Sequence, residues 1–324
     1  MIAPERGIRP HDAPGDGRAA EAAPAADPGC PFCPGHEAEL PAIVTEIKSP
    51  HPPGWLARVV PNKYPVMQPA PAAAASAPPR HRIRPSYGLH EVVIESPRHD
   101  ADLAFMGEAE IAAVAALYRH RFRALMARPK IGAVILFRNR GAAAGASLRH
   151  PHAQLVALAM RPPWLRAQAA WARHCGAATG GCVTCAEIDF EGTDGRRIVE
   201  STPSFVAFAP FAASRPCEIW LVPRHHQASF AEIEETVTAE FGVLLRNTLR
   251  RLAVARDNPS YNFVVDSFDA PRDAAVAHWR LRIAPNLATW GGFELGTELP
   301  INPSSPEADA ALLRAATLDP RPRY

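Results

Sequence analysis

The sequence predicts an α+β fold of two tandem repeats, each an antiparallel sheet with a packed helix. Three observations lead there. The order strand, histidine, helix, strand, loop, histidine, strand occurs twice, and a CxxC pair introduces each copy. The histidine intervals also match within one residue, from His99 to His150 and from His226 to His278. A repeat of this kind outweighs single-element readings. It divides the chain into residues 1–160, which carry His150-Pro-His152-Ala-Gln154, and residues 161–324.

The opening 29 residues are rich in Pro, Gly and Ala and read as irregular. Ala42–Lys48 and Trp55–Val60 read as short strands, and the Ala/Pro tract from Gln68 to Pro79 as a surface excursion. Glu91–Glu95 opens the first repeat as a strand. Glu108–Ala127 holds Ile111, Val114, Leu117, Tyr118 and Leu125 at helical spacing. Ile131–Phe137 and Ala153–Ala159 are apolar runs suited to buried strands. The second repeat follows the same order: strand Cys217–Val222, helix Phe230–Val254, and strands Tyr261–Val265 and Trp279–Ile283.

Composition narrows the function. Thirty-five Lys and Arg against 33 Asp and Glu leave a net charge of +2, without the strongly basic balance of a nucleic-acid binder. No apolar run approaches the roughly 18 residues of a membrane span. The segment MIAPERGIRPHDAPGDGR sets charges and prolines where a signal peptide needs an apolar stretch, so the cytoplasm is the expected location. Six cysteines in a reducing compartment are not expected to form disulfides, and four of them stand in CxxC pairs.

Cys30-Pro-Phe-Cys33 places two thiolates where both can turn toward one tetrahedral ion. A closed zinc site needs four ligands, and His99 and His150 are the candidates to complete it. A redox CxxC should open a helix behind a strand, whereas Pro31, Pro34 and Gly35 make this a loop knuckle. Cys182-Val-Thr-Cys185 repeats the knuckle ahead of the second repeat, with His226 and His278 as partners and His225 as an alternative to His226. A redox or vestigial pair is the competing reading there. Cys175 and Cys217 read as buried fillers.

His150, His152 and Gln154 alternate along a strand and therefore share a face. With His150 held by metal, His152 stands beside it as an imidazole able to attack phosphorus and carry a covalent intermediate. The Gln154 amide can donate to a phosphoryl oxygen as charge gathers there. Upstream, the small-residue loop from Asn139 through Gly141 and Gly145 to Ser147 lets backbone N–H groups approach phosphates.

These motifs, with Ser96-Pro-Arg-His99 and Gly291-Gly-Phe-Glu294-Leu-Gly-Thr297, resemble the galactose-1-phosphate uridylyltransferase family, a two-repeat branch of the histidine-triad superfamily. The resemblance implies two histidine-triad-like domains. It also implies His152 as the nucleophile that carries the nucleotidyl group, Gln154 as its stabiliser, and Cys30, Cys33, His99 and His150 as zinc ligands. Asn139 and Ser147 match nucleotide- and phosphate-contacting positions. Arg6 and Arg9 match an N-terminal segment that approaches the phosphates, although the strand usual before Ile2 is shortened. Glu294 matches a sugar-contacting acid. The typical member has a second His-x-His where this chain has His278-Trp-Arg280. That departure argues against a second nucleophile. It looks more like the ADP-glucose phosphorylase-type branch, whose second site is zinc held by two Cys and two His.

The expected activity is ping-pong nucleotidyl transfer from a UDP- or ADP-hexose to hexose 1-phosphate or inorganic phosphate through nucleotidyl-His152. Two structural zinc ions and a possible homodimer accompany it. A histidine-triad-type nucleotide hydrolase, with water as the acceptor, and a non-catalytic nucleotide-sugar-binding protein are the alternatives. Products formed with and without added sugar 1-phosphate separate the first, and binding without trapped label separates the second.

Overall fold

The computed structural model describes residues 24–70, 80 and 87–318. Ten strands form one sheet in the order β1-β2-β3-β5-β4-β9-β10-β8-β7-β6, and every paired neighbour is antiparallel. The first half supplies β1 (Thr45–Lys48), β2 (Trp55–Pro61), β3 (Gly88–Ile94), β4 (Ala133–Arg140) and β5 (His152–Leu158). The second supplies β6 (Ile198–Ser201), β7 (Phe205–Phe208), β8 (Ile219–Pro223), β9 (Tyr261–Asp266) and β10 (Arg280–Pro285). Read outward from the β4–β9 seam, each half has the same strand order, so the repeat in the sequence is a repeat in topology. The pairing of β4 with β9, Phe137 opposite Val264 and Asn139 opposite Asn262, makes the two halves one sheet.

One face of the sheet is covered by α1 (Glu108–Met126) and α4 (Glu235–Ala255), which meet the strands in a common core. Val93, Leu136, Leu155, Phe263 and Leu281 point into it, together with Tyr118, Phe122 and Phe241 from the helices. Strand alternation sends the intervening residues to the other face. There the first half is capped by the knuckle and the segment after it, with Phe32 and Leu40 against Trp55, Val60, Val92 and Ile94. In the second half the covering elements are α2 (Pro163–Thr179) and α3 (Val183–Asp194).

The α+β class and the two-repeat organisation are both present, and several elements add to the expected set. The second CxxC is not a loop knuckle: Cys182 caps α3 and Cys185 lies in its first turn. Residues three apart on a helix share a face, so the helix brings the two sulfurs together as the first knuckle's turn does. Helix α2 buries Leu165, Ala169, Ala172 and Gly176. That spacing is helical, but beyond Leu165 the buried positions are alanine and glycine, too small to mark an apolar stripe. The short β6 and β7, and the helices α5 (Gly292–Thr297) and α6 (Pro306–Ala315), complete the second half.

Candidate active site and metal centres

The first metal cluster forms where a turn meets two strand ends. Cys33 N–H donates to the Cys30 carbonyl at 3.2 Å, closing the turn that aims both sulfurs inward. Cys30 Sγ and Cys33 Sγ each lie 3.6 Å from His150 Nδ1, and Cys33 Sγ lies 3.6 Å from His99 Nδ1. Tetrahedral zinc, with bonds of about 2.3 Å to sulfur and 2.0–2.1 Å to nitrogen, requires a sulfur–nitrogen separation of about 3.6 Å. The cluster therefore fits that ion without rearrangement. The unused ring nitrogen of His150 donates from Nε2 to the Ser96 carbonyl at 2.8 Å, which leaves Nδ1 with its lone pair toward the sulfurs.

The second cluster repeats this plan. Cys185 Sγ lies 3.3 Å from His226 Nδ1 and 3.5 Å from His278 Nδ1, with Cys182 Sγ 3.9 Å from His278 Nδ1. His226 Nε2 donates to the Ala274 carbonyl at 2.7 Å, and His278 Nε2 to the Pro223 carbonyl at 3.0 Å. His226, rather than His225, is the histidine brought to this cluster. These are the two groups of metal-ligating side chains found among the described residues.

Burial tunes both clusters alike. It pushes the Cys30 and Cys185 thiols up to about 12 and the His150 and His278 imidazoles down to about 4. A cation reverses the thiol penalty by stabilising thiolate, while the imidazoles are already held in the neutral, ligating form. In the metal-free protein the direction for the histidines sets a pH dependence. Unfolded imidazoles take protons near the ordinary value of 6.5, whereas the folded ones resist until about 4. The unfolded state therefore binds more protons in that window, and stability falls as pH drops from 6.5 toward 4, by on the order of 2–3 kcal/mol for each histidine. Thermal unfolding of the metal-free protein followed across pH 4–8 should show a melting temperature level above about pH 7 and a steep decline below it. A level curve down to pH 5 would contradict the assignment of buried neutral histidines.

The first cluster fixes its neighbour. His152 Nδ1 lies 2.8 Å from the His150 carbonyl. A carbonyl only accepts, so Nδ1 carries the proton and Nε2 the lone pair. Phe32, between the two cysteines, presents its ring edge-on to both histidines, with centroids 5.9 Å from His150 and 5.4 Å from His152. His152 and Gln154 line a cleft of about 170 Å³ with Ser147, Val60, Asn62 and Tyr64.

Of the other expected contacts, Ser147 joins this cleft and three loop residues do not line it. Gly141 and Gly145 shape the turn, with φ of +83° and +80°. A Cβ on Gly141 would meet Ser260 Oγ at 2.1 Å, so only glycine fits there. Asn139 accepts from Asn262 Nδ2 at 2.9 Å across the β4–β9 seam. Glu294 caps its own helix, accepting from the Gly291 N–H at 3.0 Å. Arg6 and Arg9 lie outside the described residues. Phe32, Asn62, Tyr64 and His90 were not singled out by motif. The available signal was the alternation of β3, which puts His90 in phase with Val92 on the cleft face.

In the second half, the position two residues beyond the buried metal-cluster histidine is Arg280, not histidine. Asp266 accepts from Arg280 Nε at 3.1 Å and from Arg282 Nε at 2.7 Å. Arg280 also stacks 4.0 Å over Trp220 and donates to Gln168 of α2 at 3.1 Å. Where the first half opens a cleft, the second has a closed ion-pair cluster with no imidazole at the equivalent place.

The family model for the N-terminal domain of galactose-1-phosphate uridyl transferase matches residues 2–162. An ADP-glucose phosphorylase from Arabidopsis thaliana is 32% identical over 294 residues, covering 89% of this chain and 82% of the relative. A galactose-1-phosphate uridylyltransferase from Thermotoga maritima is 27% identical, covering 80% and 84%. The crystal structure of an ADP-glucose phosphorylase from Arabidopsis thaliana with bound ADP-glucose superposes with a TM-score of 0.79 at 30% identity, covering 98% of this chain and 95% of the other.

Proposed function

This chain belongs to the galactose-1-phosphate uridylyltransferase family, and on that premise we propose that His152 transfers a nucleoside monophosphate between a nucleotide sugar and a phosphate-bearing acceptor. The chain is a nucleotidyltransferase. The observation that carries the residue assignment is the hydrogen bond from His152 Nδ1 to the carbonyl of His150, itself fixed within the four-residue cluster. It gives Nε2 the lone pair and holds the ring in place before substrate arrives.

The lone pair of Nε2 attacks the α-phosphorus and the N–P bond forms. The bond from phosphorus to the bridging oxygen breaks, and sugar 1-phosphate leaves with the electron pair. The ring keeps its Nδ1 proton throughout, and the His150 carbonyl offsets the positive charge that the ring acquires. An oxygen of the acceptor phosphate then attacks phosphorus from the opposite side, and the N–P electrons return to Nε2. A phosphate leaving group needs no proton, so the demand on the protein is for positioned donors. The Gln154 amide and the loop bearing Ser147 supply them. Zinc in both Cys2His2 clusters would hold structure and supply no step, because four protein ligands leave no open position.

Identity of 32% to the phosphorylase against 27% to the uridylyltransferase makes ADP-hexose the first donor to test, with UDP-hexose second and phosphate or hexose 1-phosphate as acceptor. A reducing, cytoplasmic setting belongs to the same proposal, since all six cysteines are unpaired. So does a homodimer, with Trp290, Phe293 and Leu295 as exposed surface that a second copy would cover; sedimentation as a monomer would remove that part. Incubation with unlabelled nucleotide sugar and labelled hexose 1-phosphate, without other acceptor, should move label into the nucleotide sugar. Release of free nucleoside monophosphate with no exchange would instead indicate hydrolysis.

A further inference from the structure

We infer that His90 is a positioning residue for the reaction: it fixes which end of the Gln154 carboxamide faces the phosphoryl group. The inference rests on the proposed role of Gln154. His90 lies on β3 and Gln154 on the adjacent β5, diagonal to one another and two residue pairs apart in register, because Val156 is the partner of His90 and Val92 that of Gln154. Both side chains are buried, at 4% and 8% exposure, and strand alternation puts them on the face that carries His152.

The direction of the hydrogen bonds follows from the backbone. The Val66 N–H donates to His90 Nδ1 at 3.2 Å. That nitrogen must hold a lone pair, so the ring proton sits on Nε2. Nε2 then donates to Gln154 Oε1 at 2.9 Å. With its oxygen engaged by an N–H, the carboxamide turns its NH2 group away from His90, as a donor for phosphoryl oxygen. The reverse rotamer would oppose two N–H donors and present an oxygen to an anionic phosphate. A main-chain N–H at residue 66 therefore dictates, through one imidazole tautomer, the polarity of a side chain on the neighbouring strand. Asn62 Nδ2 approaches the same His90 nitrogen at 3.2 Å. Its Oδ1 accepts from the Tyr64 N–H at 2.7 Å, so Nδ2 is itself a donor; with the ring proton on Nε2 this approach is a donor–donor contact rather than a hydrogen bond, and the tautomer rests on the Val66 N–H at Nδ1.

The test is a double-mutant cycle on the full-length protein, with His90→Phe, Gln154→Ala and the pair. Metal content and melting temperature are measured for each variant. His90→Phe should lower kcat by roughly 10- to 100-fold while KM for the nucleotide sugar changes less than about threefold. In the Gln154→Ala background the same change should cost almost nothing further. His90→Gln, which can place an amide N–H near the same point, should recover part of the rate. Additive losses with Gln154→Ala impaired would overturn this inference and leave the proposed function standing. Full activity in Gln154→Ala would overturn both the role assigned to Gln154 and the positioning by His90.

Discussion

Replacing His152 with alanine should lower nucleotidyl transfer by about ten-thousand-fold or more, because both half-reactions pass through the same nitrogen. The substitution leaves Cys30, Cys33, His99 and His150 in place, so bound zinc should stay at the wild-type level. His152 is 9% exposed and lines the cleft, so its truncation removes little core packing. Steady-state rates with ADP- and UDP-hexose, beside elemental analysis of the variant, read both quantities. Activity within tenfold of wild type would remove His152 from the mechanism.

The second large effect is an asymmetry between the metal clusters. Cys33 Sγ approaches both His99 and His150, so Cys33→Ser should lose one zinc equivalent and release the ring that anchors the His150 carbonyl. Transfer should fall by about a hundredfold or more, and the melting temperature by roughly 5–10 °C, a fraction of the binding free energy of structural zinc spread over a chain this long. Cys185→Ser should also lose one equivalent and destabilise the fold. Its neighbours His226 and His278 brace α3 against the second half, and none of the four ligands of this cluster lines the cleft, so activity per folded molecule should remain within a fewfold of wild type. Metal analysis, thermal melts and rates on the two variants, compared side by side, check the contrast. Equal loss of activity in both would show that the clusters act on the whole sheet, not on their own half.

Much of this site is legible in the chain because its chemistry is written at short range. His150, His152 and Gln154 share a strand face by alternation alone, and a pair of cysteines three apart converges in a turn or in the first turn of a helix. Matching histidine intervals carry the second cluster even though Cys182 and Cys185 sit on a helix. What stayed out of reach depends on register between strands distant in sequence. No local pattern says that His90 stands beside Gln154, or that Asn139 meets Asn262 across the seam instead of lining the cleft. The closure of the second-half site by Arg280, Asp266 and Trp220 is likewise a tertiary fact, though the missing histidine at position 280 announced its consequence. Helix α2 leaves little trace in the sequence because its buried face beyond Leu165 is alanine and glycine.

The central claim is that a single ring nitrogen carries the nucleotide. Donor labelled at the α-phosphorus, mixed with enzyme in the absence of acceptor and quenched in base, preserves an N–P bond for peptide mapping. One label per chain, acid-labile and located on the peptide containing His152, is the predicted result. Label on another residue, or turnover with inversion at phosphorus and no labelled protein, would contradict it.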